Sequence, residues 1–334
     1  MKHLKVENIN KRFGNKVVLS NIEFGLNQGE IVALMGESGC GKSTLLRIIA
    51  GFENADNGKI LLNDKGIQDV VAHKRKVGMF FQDYALFPHM TVFDNIAYGI
   101  TGQENYSEKV KELIDVCELG GLEKVYPHEI SGGQKQRVAL ARALAPDPDI
   151  LLLDEPFSNI DTLLRENLRL ELRRMLKGRN LSVIIVSHDI EDALVLADKA
   201  VILHEGIIVQ EGSIRALYNQ PKNEFVAQFV GEVNIINGST TDFGLQTGDT
   251  IIFGDFTNCK SKEMKIAVRP EDISLENRNE PGNKYKVKQV IFKRSFYIVE
   301  LEGEKGRIIA HLSNDQEWSE GDTCQLKITR YHAI

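Results

Sequence analysis

The most informative segment of the sequence is Ile31-Val32-Ala33-Leu34-Met35-Gly36-Glu37-Ser38-Gly39-Cys40-Gly41-Lys42-Ser43. It opens with a continuous apolar run, which predicts a strand buried on both faces of a parallel sheet. The remainder follows the pattern G-x-x-x-x-G-K-S, and the helix-forming segment 44–50 comes directly after it. A glycine-rich loop between a buried strand and a helix is the context in which this pattern binds phosphate groups.

The residue types of this loop indicate its chemistry. Glycines let the backbone wrap closely, so that successive N–H groups and the helix N-terminus face an anion. The Lys42 ammonium reaches the β- and γ-phosphates, and the Ser43 hydroxyl is a ligand for Mg²⁺. The sequence therefore predicts a site for ATP and Mg²⁺, and the residues predicted to form it are Gly36, Ser38, Gly39, Cys40, Gly41, Lys42, Ser43 and Thr44.

Further buried strands are predicted by the apolar runs 150–153, 182–186 and 199–203, which helical segments separate. Such alternation indicates an α/β domain with a mainly parallel sheet. Alternating apolar and polar residues near the N-terminus predict half-exposed strands at one edge of the fold. The stretch from about 90 to 145 shows no comparable strand and is predicted to be an inserted helical subdomain. The segment 161–179 has the pattern of a long amphipathic helix.

Two carboxylates, Asp154 and Glu155, stand directly after the apolar run 150–153. Sheets of this kind bind ligands at the carboxyl ends of their strands. We expect Asp154 to hold Mg²⁺ through its water shell, and Glu155 to polarise an attacking water as the general base. The alternative is that both acids mark a solvated strand end.

His188 and Gln82 follow two other predicted strands, so they project from the same edge of the sheet. We expect His188 to contact the γ-phosphate and to stabilise the transition state, although a histidine at a strand end can also be structural. Gln82 offers its amide to Mg²⁺ or to the attacking water. Asp154, Glu155, His188 and Gln82 are therefore the candidate catalytic and metal-binding residues beyond the loop.

A second glycine-rich helix start is formed by Ser131, Gly132, Gly133 and Gln134, which stand shortly before the helix-forming run 138–144. The serine hydroxyl and the glycine N–H groups can donate to an anion. A plain N-cap serine would give the same local pattern. The sequence therefore contains two helix starts that suit phosphate.

Composition limits the remaining possibilities. With 41 basic and 47 acidic residues the formal net charge is -6, which gives no sign of a broad nucleic-acid surface. No apolar run approaches the roughly 20 residues of a membrane helix, and the first residues lack the apolar core of a signal peptide. The four cysteines are far apart, which predicts neither a disulfide framework nor a zinc site. We therefore expect a cytoplasmic chain that reaches a membrane only through partners.

The composition and pattern of the sequence change after about residue 230. Glycines punctuate short β-rich runs from there to the end, which predicts a small all-β barrel or sandwich over 234–334. The preceding α/β part is predicted to be a separate domain over 1–230. At 334 residues the chain is long enough for these two domains.

Taken together and in order, these motifs resemble those of ABC transporter nucleotide-binding subunits, over about residues 4–230. The loop corresponds to their Walker A motif, Gln82 to the Q-loop, 131–134 to the signature, 150–155 to Walker B, and His188 to the switch histidine. The resemblance implies a P-loop NTPase fold with a RecA-like parallel core, an antiparallel β edge and a helical subdomain. It also implies ATP hydrolysis coupled to transport.

The resemblance adds roles that the patterns alone do not give. Phe13 should stack on adenine, where tyrosine is more usual, although it could instead be a core aromatic residue. Asp161 corresponds to the D-loop aspartate, within a Ser-Asn-Ile-Asp segment that departs from the commoner Ser-Ala-Leu-Asp. Because the signature of one subunit completes the ATP site of another, the resemblance implies a head-to-tail homodimer.

Two further segments are similar to importer subunits. The segment 80–92 resembles the surface that receives a coupling helix of the membrane subunit, although its aromatic residues Phe80, Phe81, Tyr84 and Phe87 could simply be core. Val268-Arg269-Pro270-Glu271-Asp272-Ile273 resembles the hallmark of the OB-like TOBE domain. Such a domain is found on maltose, polyamine, ferric-iron, sulfate and molybdate importer ATPases.

The importer resemblance implies a peripheral protein at the cytoplasmic face of the inner membrane. Its implied partners are a second copy, transmembrane permease subunits and, indirectly, a solute-binding protein. Ferric iron or a polyamine is the suggested solute. The alternative function is a soluble ABC-type ATPase without a transport role, and no nucleic-acid partner is expected.

Overall fold

The computed structural model describes residues 3–158, 160, 162–241, 244–247, 250–252, 263–276, 285–303 and 306–334. The chain divides into two compact units, Met1–Ile214 and Arg215–Ile334. Each unit is taken by itself below, because each has its own hydrophobic core.

The N-terminal unit combines two sheets with helices. Its strands are β1 (Leu4–Phe13), β2 (Lys16–Leu26), β3 (Ile31–Met35), β4 (Asn57–Leu62), β5 (Lys65–Gly66), β6 (Val77–Phe80), β7 (Ile150–Asp154), β8 (Ser182–Ser187), β9 (Lys199–His204) and β10 (Ile207–Gly212). Its helices are α1 (Lys42–Ala50), α2 (Val92–Ala97), α3 (Tyr106–Val116), α4 (Gly132–Leu144), α5 (Thr162–Gly178) and α6 (Ile190–Leu196).

A six-stranded sheet in the order β10-β9-β3-β8-β7-β6 forms the centre of this unit. All of its pairs are parallel except β9–β10. Every residue of β3, β7 and β8 is buried, as their unbroken apolar runs predict. The register pairs Met35 with Ser187 and Asp154 with Val186, so these strands end together at one edge. The residues that follow them are therefore brought together.

An antiparallel sheet in the order β2-β1-β4-β5 flanks the core, and α1 packs in the same cluster of buried side chains as both sheets. The stretch between α2 and α4 contains helices and turns, which agrees with the predicted helical subdomain. The helix predicted over 161–179 is observed as α5. The predicted P-loop fold class is confirmed.

The C-terminal unit is mainly β, as predicted. Its elements are α7 (Ile214–Asn219), which begins at the last residue of the first unit, α8 (Glu224–Phe229), β11 (Asn234–Thr241), β12 (Gly244–Thr247), β13 (Thr250–Ile252), β14 (Glu263–Val268), β15 (Ile273–Glu276), β16 (Tyr285–Phe292), β17 (Phe296–Gly303), β18 (Gly306–Ser313), β19 (Thr323–Ile328) and β20 (His332–Ala333). Two sheets, β13-β12-β11-β14-β20 and β15-β19-β16-β17-β18, share one core.

Arg269 attaches the two short helices to this β structure. Its buried guanidinium donates to the carbonyl oxygens of Tyr218, Ala227 and Gly231, and it lies 3.9 Å from the centre of the Tyr218 ring. Residues 215–230 consequently pack with the C-terminal unit. The domain limits 1–230 and 234–334 were inferred from composition rather than from contacts, and they stay a prediction.

Candidate functional site

The loop between β3 and α1 has a backbone that only glycine adopts easily. Gly39 and Gly41 have φ angles of 81° and 111°, in the region that side chains with a Cβ avoid. A Cβ on Gly41 would lie 2.7 Å from Leu19 Cδ2, whereas one on Gly39 would meet nothing within 4 Å. The loop is thus packed against β2 on one side and open on the other.

Lys42 begins α1 and lies folded over this loop. Its Nζ donates to the carbonyl oxygens of Gly36 and Glu37, both at 2.7 Å. Gly41 caps the helix without any side-chain hydrogen bond, and the N–H groups of Ser43 and Thr44 in the first turn have no acceptor within the helix. A positive charge and a set of free donors therefore point to one place, which suits a phosphate.

Ser43 and Asp154 bring two oxygen ligands together. Ser43 Oγ donates to Asp154 Oδ1 at 3.2 Å. Burial raises the pKa of Asp154 above its ordinary value of 3.8, and the hydrogen bond from Ser43 opposes this shift. A buried carboxylate beside a hydroxyl is a donor set that a hard divalent cation prefers.

Glu155 is the point at which three loops converge. Gln82 Nε2 donates to Glu155 Oε2 at 3.3 Å, and His188 Nδ1 lies 3.4 Å from Glu155 Oε1. The backbone of Glu155 has a φ of 46° and its N–H donates to the Val186 carbonyl of the neighbouring strand. The carboxylate is thereby turned away from the sheet and toward the loop residues.

A cleft of about 520 Å³ opens where these groups meet. The residues that line it are Val18, Ser38, Gly39, Gly41, Lys42, Ser43, Thr44, Gln82, Glu155 and His188. The structure therefore collects most of the predicted phosphate, catalytic and metal residues around one space. Val18 was not predicted, because nothing in its local sequence distinguishes it from other strand residues.

Other predicted residues occupy different positions. The Cys40 side chain is buried and does not line the cleft, and burial raises the pKa of its thiol. Phe13 is 49% exposed at the end of β1, so it is not a core residue. It pairs with Lys16, two residues before the cleft-lining Val18. Asp161 lies outside the described residues.

Ser131 forms the N-cap of α4. Its Oγ accepts a hydrogen bond from the Gln134 N–H at 3.3 Å, and Gln134 Oε1 accepts from the Ser131 N–H at 2.9 Å. Ser131 and Gly132 are exposed, and Gly133 is partly so. Among the described residues that line the cleft, none comes from this helix start. Ser131 therefore caps α4 within its own chain, its glycines remain accessible on the surface, and its role toward phosphate stays a prediction.

Gln136 connects this helix to the strand-end carboxylates, which local sequence did not indicate. Gln136 is 6% exposed, and its Nε2 donates to the Pro156 carbonyl oxygen at 3.2 Å. Pro156 follows Glu155 directly. The helix that begins at Ser131 is thus fixed to the loop that carries Glu155.

A separate apolar groove of about 620 Å³ is lined in part by the residue that precedes Gln82 in the sequence. Aromatic side chains from four segments line it, namely Phe52, Phe81, Phe87 and Tyr98. Phe80 and Tyr84 are buried in the core, whereas Phe81 and Phe87 are only partly buried. The core interpretation of this aromatic cluster is therefore right for two of its members and wrong for the other two.

Arg142 closes one side of the groove. It donates to the carbonyl oxygens of Tyr84 and Ala85 at 2.8 and 2.6 Å. Both residues have positive φ angles, 62° and 44°, which side chains with a Cβ rarely adopt. The segment between Gln82 and the groove is thus held in a strained conformation by one arginine.

Known proteins resemble this chain over most of its length. Residues 19–158 match the family of ABC transporters. The spermidine/putrescine import ATP-binding protein PotA of Clostridioides difficile is 39% identical over 326 residues, which cover 94% of this chain and 92% of that protein. The chain belongs to the ABC transporter ATP-binding family.

Two other comparisons support this membership. The sulfate/thiosulfate import ATP-binding protein CysA of Neisseria meningitidis is 47% identical over 243 residues, 70% of this chain and 68% of that protein. A solved dimeric ATP-binding cassette in a post-hydrolysis state, bound to ADP and Pi, has a TM-score of 0.56 and 28% identity. It covers 63% of this chain and 98% of its own.

Membership of this ABC family establishes the general activity of the chain. The chain is an importer-type ATPase that binds ATP and hydrolyses it to power transport. A soluble ABC ATPase without a transport role is not favoured, because the relatives reported above are import subunits. No helix in the described residues combines the length and apolar character that a membrane span requires.

Proposed function

We propose that two copies of this chain form two shared ATP sites and drive the uptake of a polyamine through separate membrane subunits. One observation carries the site assignment: Lys42, Ser43, Gln82, Glu155 and His188 all line one cleft, although they come from four separate segments of the chain. The signature segment at Ser131 lies on an exposed helix start. The arrangement suits a site that a second copy completes.

Within each site, Lys42 and the N-terminus of α1 bind the β- and γ-phosphates of ATP. Ser43 and Asp154 fit Mg²⁺, because their oxygen atoms are 3.2 Å apart and burial disfavours an uncompensated Asp154 carboxylate. No group of three or more acidic, histidine or cysteine side chains in the described residues could hold a metal. This agrees with Mg²⁺, which keeps several waters and shares phosphate oxygens. The bound ion supplies charge neutralisation on the phosphates.

Hydrolysis then uses the residues around Glu155. Glu155 accepts a proton from the water whose oxygen forms a bond to the γ-phosphorus, and the bond to the β–γ bridging oxygen breaks, which releases ADP and phosphate. Gln82 orients the water or the ion, and His188 stabilises charge on the γ-phosphate. His188 is 60% exposed and can therefore reach a ligand in the cleft.

The second copy contributes its Ser131 hydroxyl and the N–H groups of Gly132 and Gly133 to the γ-phosphate. The solved relative cited above is dimeric and bound to ADP and Pi, which supports this arrangement. Phe13 stacks on adenine from its exposed position at the end of β1.

The apolar groove receives a helix of a membrane permease subunit, which places the chain at the cytoplasmic face of the cell membrane. Its exposed aromatic lining favours burial against an apolar partner. Arg142 joins the groove to the segment that carries Gln82. A solute-binding protein acts on the far side and reaches this chain only through the permease.

A polyamine is the proposed solute because relatives that align over 84% to 94% of this chain are spermidine/putrescine import proteins. Sulfate is a second candidate, since the sulfate import relative is 47% identical over a shorter stretch. Ferric iron, suggested by the sequence, finds no such support in these relatives. ATPase activity of the chain, reconstituted with its permease and binding protein, should rise with spermidine and stay unchanged with sulfate.

Glu155 is the residue at which the shared site can be tested. Glu155→Gln should form a dimer with ATP and Mg²⁺ and lose turnover by roughly 10³-fold, because the general base is gone while the phosphate contacts remain. Size-exclusion chromatography with light scattering and a phosphate-release assay measure the two effects. Near-normal hydrolysis would remove Glu155 as the base.

The matched controls are Lys42→Ala and Ser131→Ala in the Glu155→Gln background. Loss of Lys42 should weaken nucleotide binding itself. Loss of Ser131 should leave binding by the monomer intact and abolish the ATP-dependent dimer. A Ser131 variant that still dimerises with ATP would contradict the shared-site proposal.

A further inference from the structure

The turn that carries His188 is closed by a buried serine. Ser187 ends β8, and its hydroxyl donates to Asp192 Oδ2 at 2.6 Å. Ser187 Oγ in turn accepts a hydrogen bond from the Asp189 N–H at 2.9 Å. These bonds fold the chain tightly around His188, whose imidazole projects outward to within 3.4 Å of Glu155.

Arg169 of α5 binds the two carboxylates of this turn. Its Nε donates to Asp192 Oδ1 and its Nη2 donates to Asp189 Oδ2, both at 2.6 Å. Arg169 is 7% exposed and Asp192 is 4% exposed. Because the guanidinium donors form a rigid planar fork, they fix the two carboxylates relative to each other.

Arg165, one turn earlier on α5, extends the network to the Glu155 side of the cleft. It donates to Asp189 Oδ2 at 3.3 Å and to the Ile160 carbonyl oxygen at 3.1 Å. Ile160 belongs to the segment after Glu155, where Ser158 Oγ donates to the Glu155 carbonyl oxygen at 3.0 Å. One face of α5 therefore holds both the His188 turn and the Glu155 loop.

Packing a helix with a network of two arginines and two aspartates carries a large desolvation penalty. Buried ion pairs lose hydration, and apolar residues of similar size often stabilise a fold equally well. What the network provides is a fixed geometry for the turn behind His188. Its bonds end on Asp189, which adjoins His188, on Asp192 in the first turn of α6, and on Ile160 in the segment after Glu155.

We infer that Arg169 is a positioning residue for ATP hydrolysis, which holds His188 in register with Glu155 through Asp189 and Asp192. The inference rests on the proposed role of His188. Arg169 itself does not line the cleft, so it acts through the turn and not on the nucleotide. Nucleotide affinity should consequently be independent of it.

The test is Arg169→Lys, which keeps the charge but replaces the planar fork by one ammonium. Steady-state hydrolysis should show kcat lower by roughly 10- to 100-fold, the effect of a small misplacement of a reacting group. KM for ATP should stay near the wild-type value. An unchanged kcat, or a rise in KM with kcat preserved, would overturn the inference.

Arg173 offers a matched control on the same helix. It lies one turn beyond Arg169 and donates to the Val195 carbonyl oxygen of α6. Arg173→Lys perturbs the packing of α5 on α6 without touching Asp189 or Asp192, so its kcat should match the wild type. Should Arg169→Lys fail to fold, Asp189→Asn removes one charged arm, keeps the cap of α6, and should lower kcat in the same way.

A double-mutant cycle separates this inference from the proposed site. In a His188→Ala background, Arg169→Lys should cause no further loss of kcat, because its effect passes through His188. Multiplicative losses would overturn the positioning role. Normal turnover by His188→Ala alone would instead remove the proposed role of His188.

Discussion

Gly39 and Gly41 share a backbone requirement but have different surroundings. Both have positive φ, yet a Cβ is sterically blocked only at Gly41, where Leu19 and Val18 are in the way. At Gly39 the added methyl group would enter the space into which the loop opens. Folding and phosphate binding can therefore be separated at this one residue.

Gly39→Ala should weaken ATP binding more than it weakens folding. The left-handed backbone costs about 1–2 kcal/mol for a residue with a Cβ, and the methyl group additionally occupies the phosphate side of the loop. Urea unfolding measures the first effect, and titration with a fluorescent ATP analogue measures the second.

Gly121→Ala is the control for strain alone. Gly121 has a φ of 84°, close to the 81° of Gly39, and likewise has nothing within 4 Å of a Cβ. It should lose similar stability and keep wild-type affinity for ATP. Equal affinity losses in the two variants would show that the effect at Gly39 is not local to the phosphate.

Single residues at strand ends were predictable because chemistry and position coincide there. Asp154 and Glu155 come at the end of the apolar run 150–153, His188 comes two residues after the run 183–186, and parallel pairing aligns the ends of these strands. Val18 could not be found in this way, since it enters the cleft only through the packing of β2 against the loop.

Among the elements, α1 depends on a cation at its C-terminal end. Arg75 donates to the carbonyl oxygens of Ile48 and Ile49 on α1 and to those of Gln68 and Val70. Arg75 is buried, and burial lowers the pKa of its guanidinium. Arg75 thus anchors the C-terminal end of the helix that begins at Lys42, because it donates to carbonyl oxygens that have few other donors available.

Arg75→Met should lower the free energy of unfolding by about 3 kcal/mol or more, because several buried carbonyl oxygens lose a charged donor. Equilibrium urea unfolding of the nucleotide-free protein measures the change. Arg47→Met on the same helix is the control, since Arg47 is exposed and such changes cost within about 0.5 kcal/mol. Comparable losses in both would contradict the anchoring role of Arg75.

The helix α5 shows what an element's sequence does and does not reveal. Its charge-rich, leucine-spaced pattern predicted a long helix, and its arginines at 165, 169 and 173 recur at one-turn spacing. Their partners, however, belong to the turn after β8 and to α6. Solvent-exposed ion pairs would leave the same sequence pattern, so the buried network required tertiary structure.

For the whole molecule, the two units have separate cores and differ in size. All described residues that line the phosphate cleft belong to the first unit. A ligand of that cleft stabilises only the unit that binds it, by about 2.7 kcal/mol when its concentration is 100 times its Kd.

Calorimetry should therefore show two unfolding transitions, of which ADP with Mg²⁺ raises only one. Limited proteolysis during the same melt identifies the shifted transition as that of residues 1–214. Lys42→Ala should abolish the shift and leave the second transition where it is. A single transition, or an equal shift of both, would contradict independent units.

The sequence was most informative about the type of each domain and least informative about the boundary between the two units. Buried strands alternating with helices indicated α/β, and short glycine-punctuated runs indicated the β unit. The helices α7 and α8 carry no local signal of which core they join. Arg269, some 40 residues later in the chain, donates to carbonyl oxygens of this helical segment and so attaches it to the C-terminal unit.

The bond from Gln136 to Pro156 has a consequence for a pair of chains. In the proposed dimer, the N-terminus of α4 contacts the nucleotide of the neighbour, and the Gln136 hydrogen bond joins the same helix to the chain's own Glu155 loop. In a head-to-tail dimer, each nucleotide therefore contacts a helix that is bonded to the Glu155 loop of the other site. We therefore expect a mixed pair of one intact and one defective chain to turn over at less than half the rate of an intact pair.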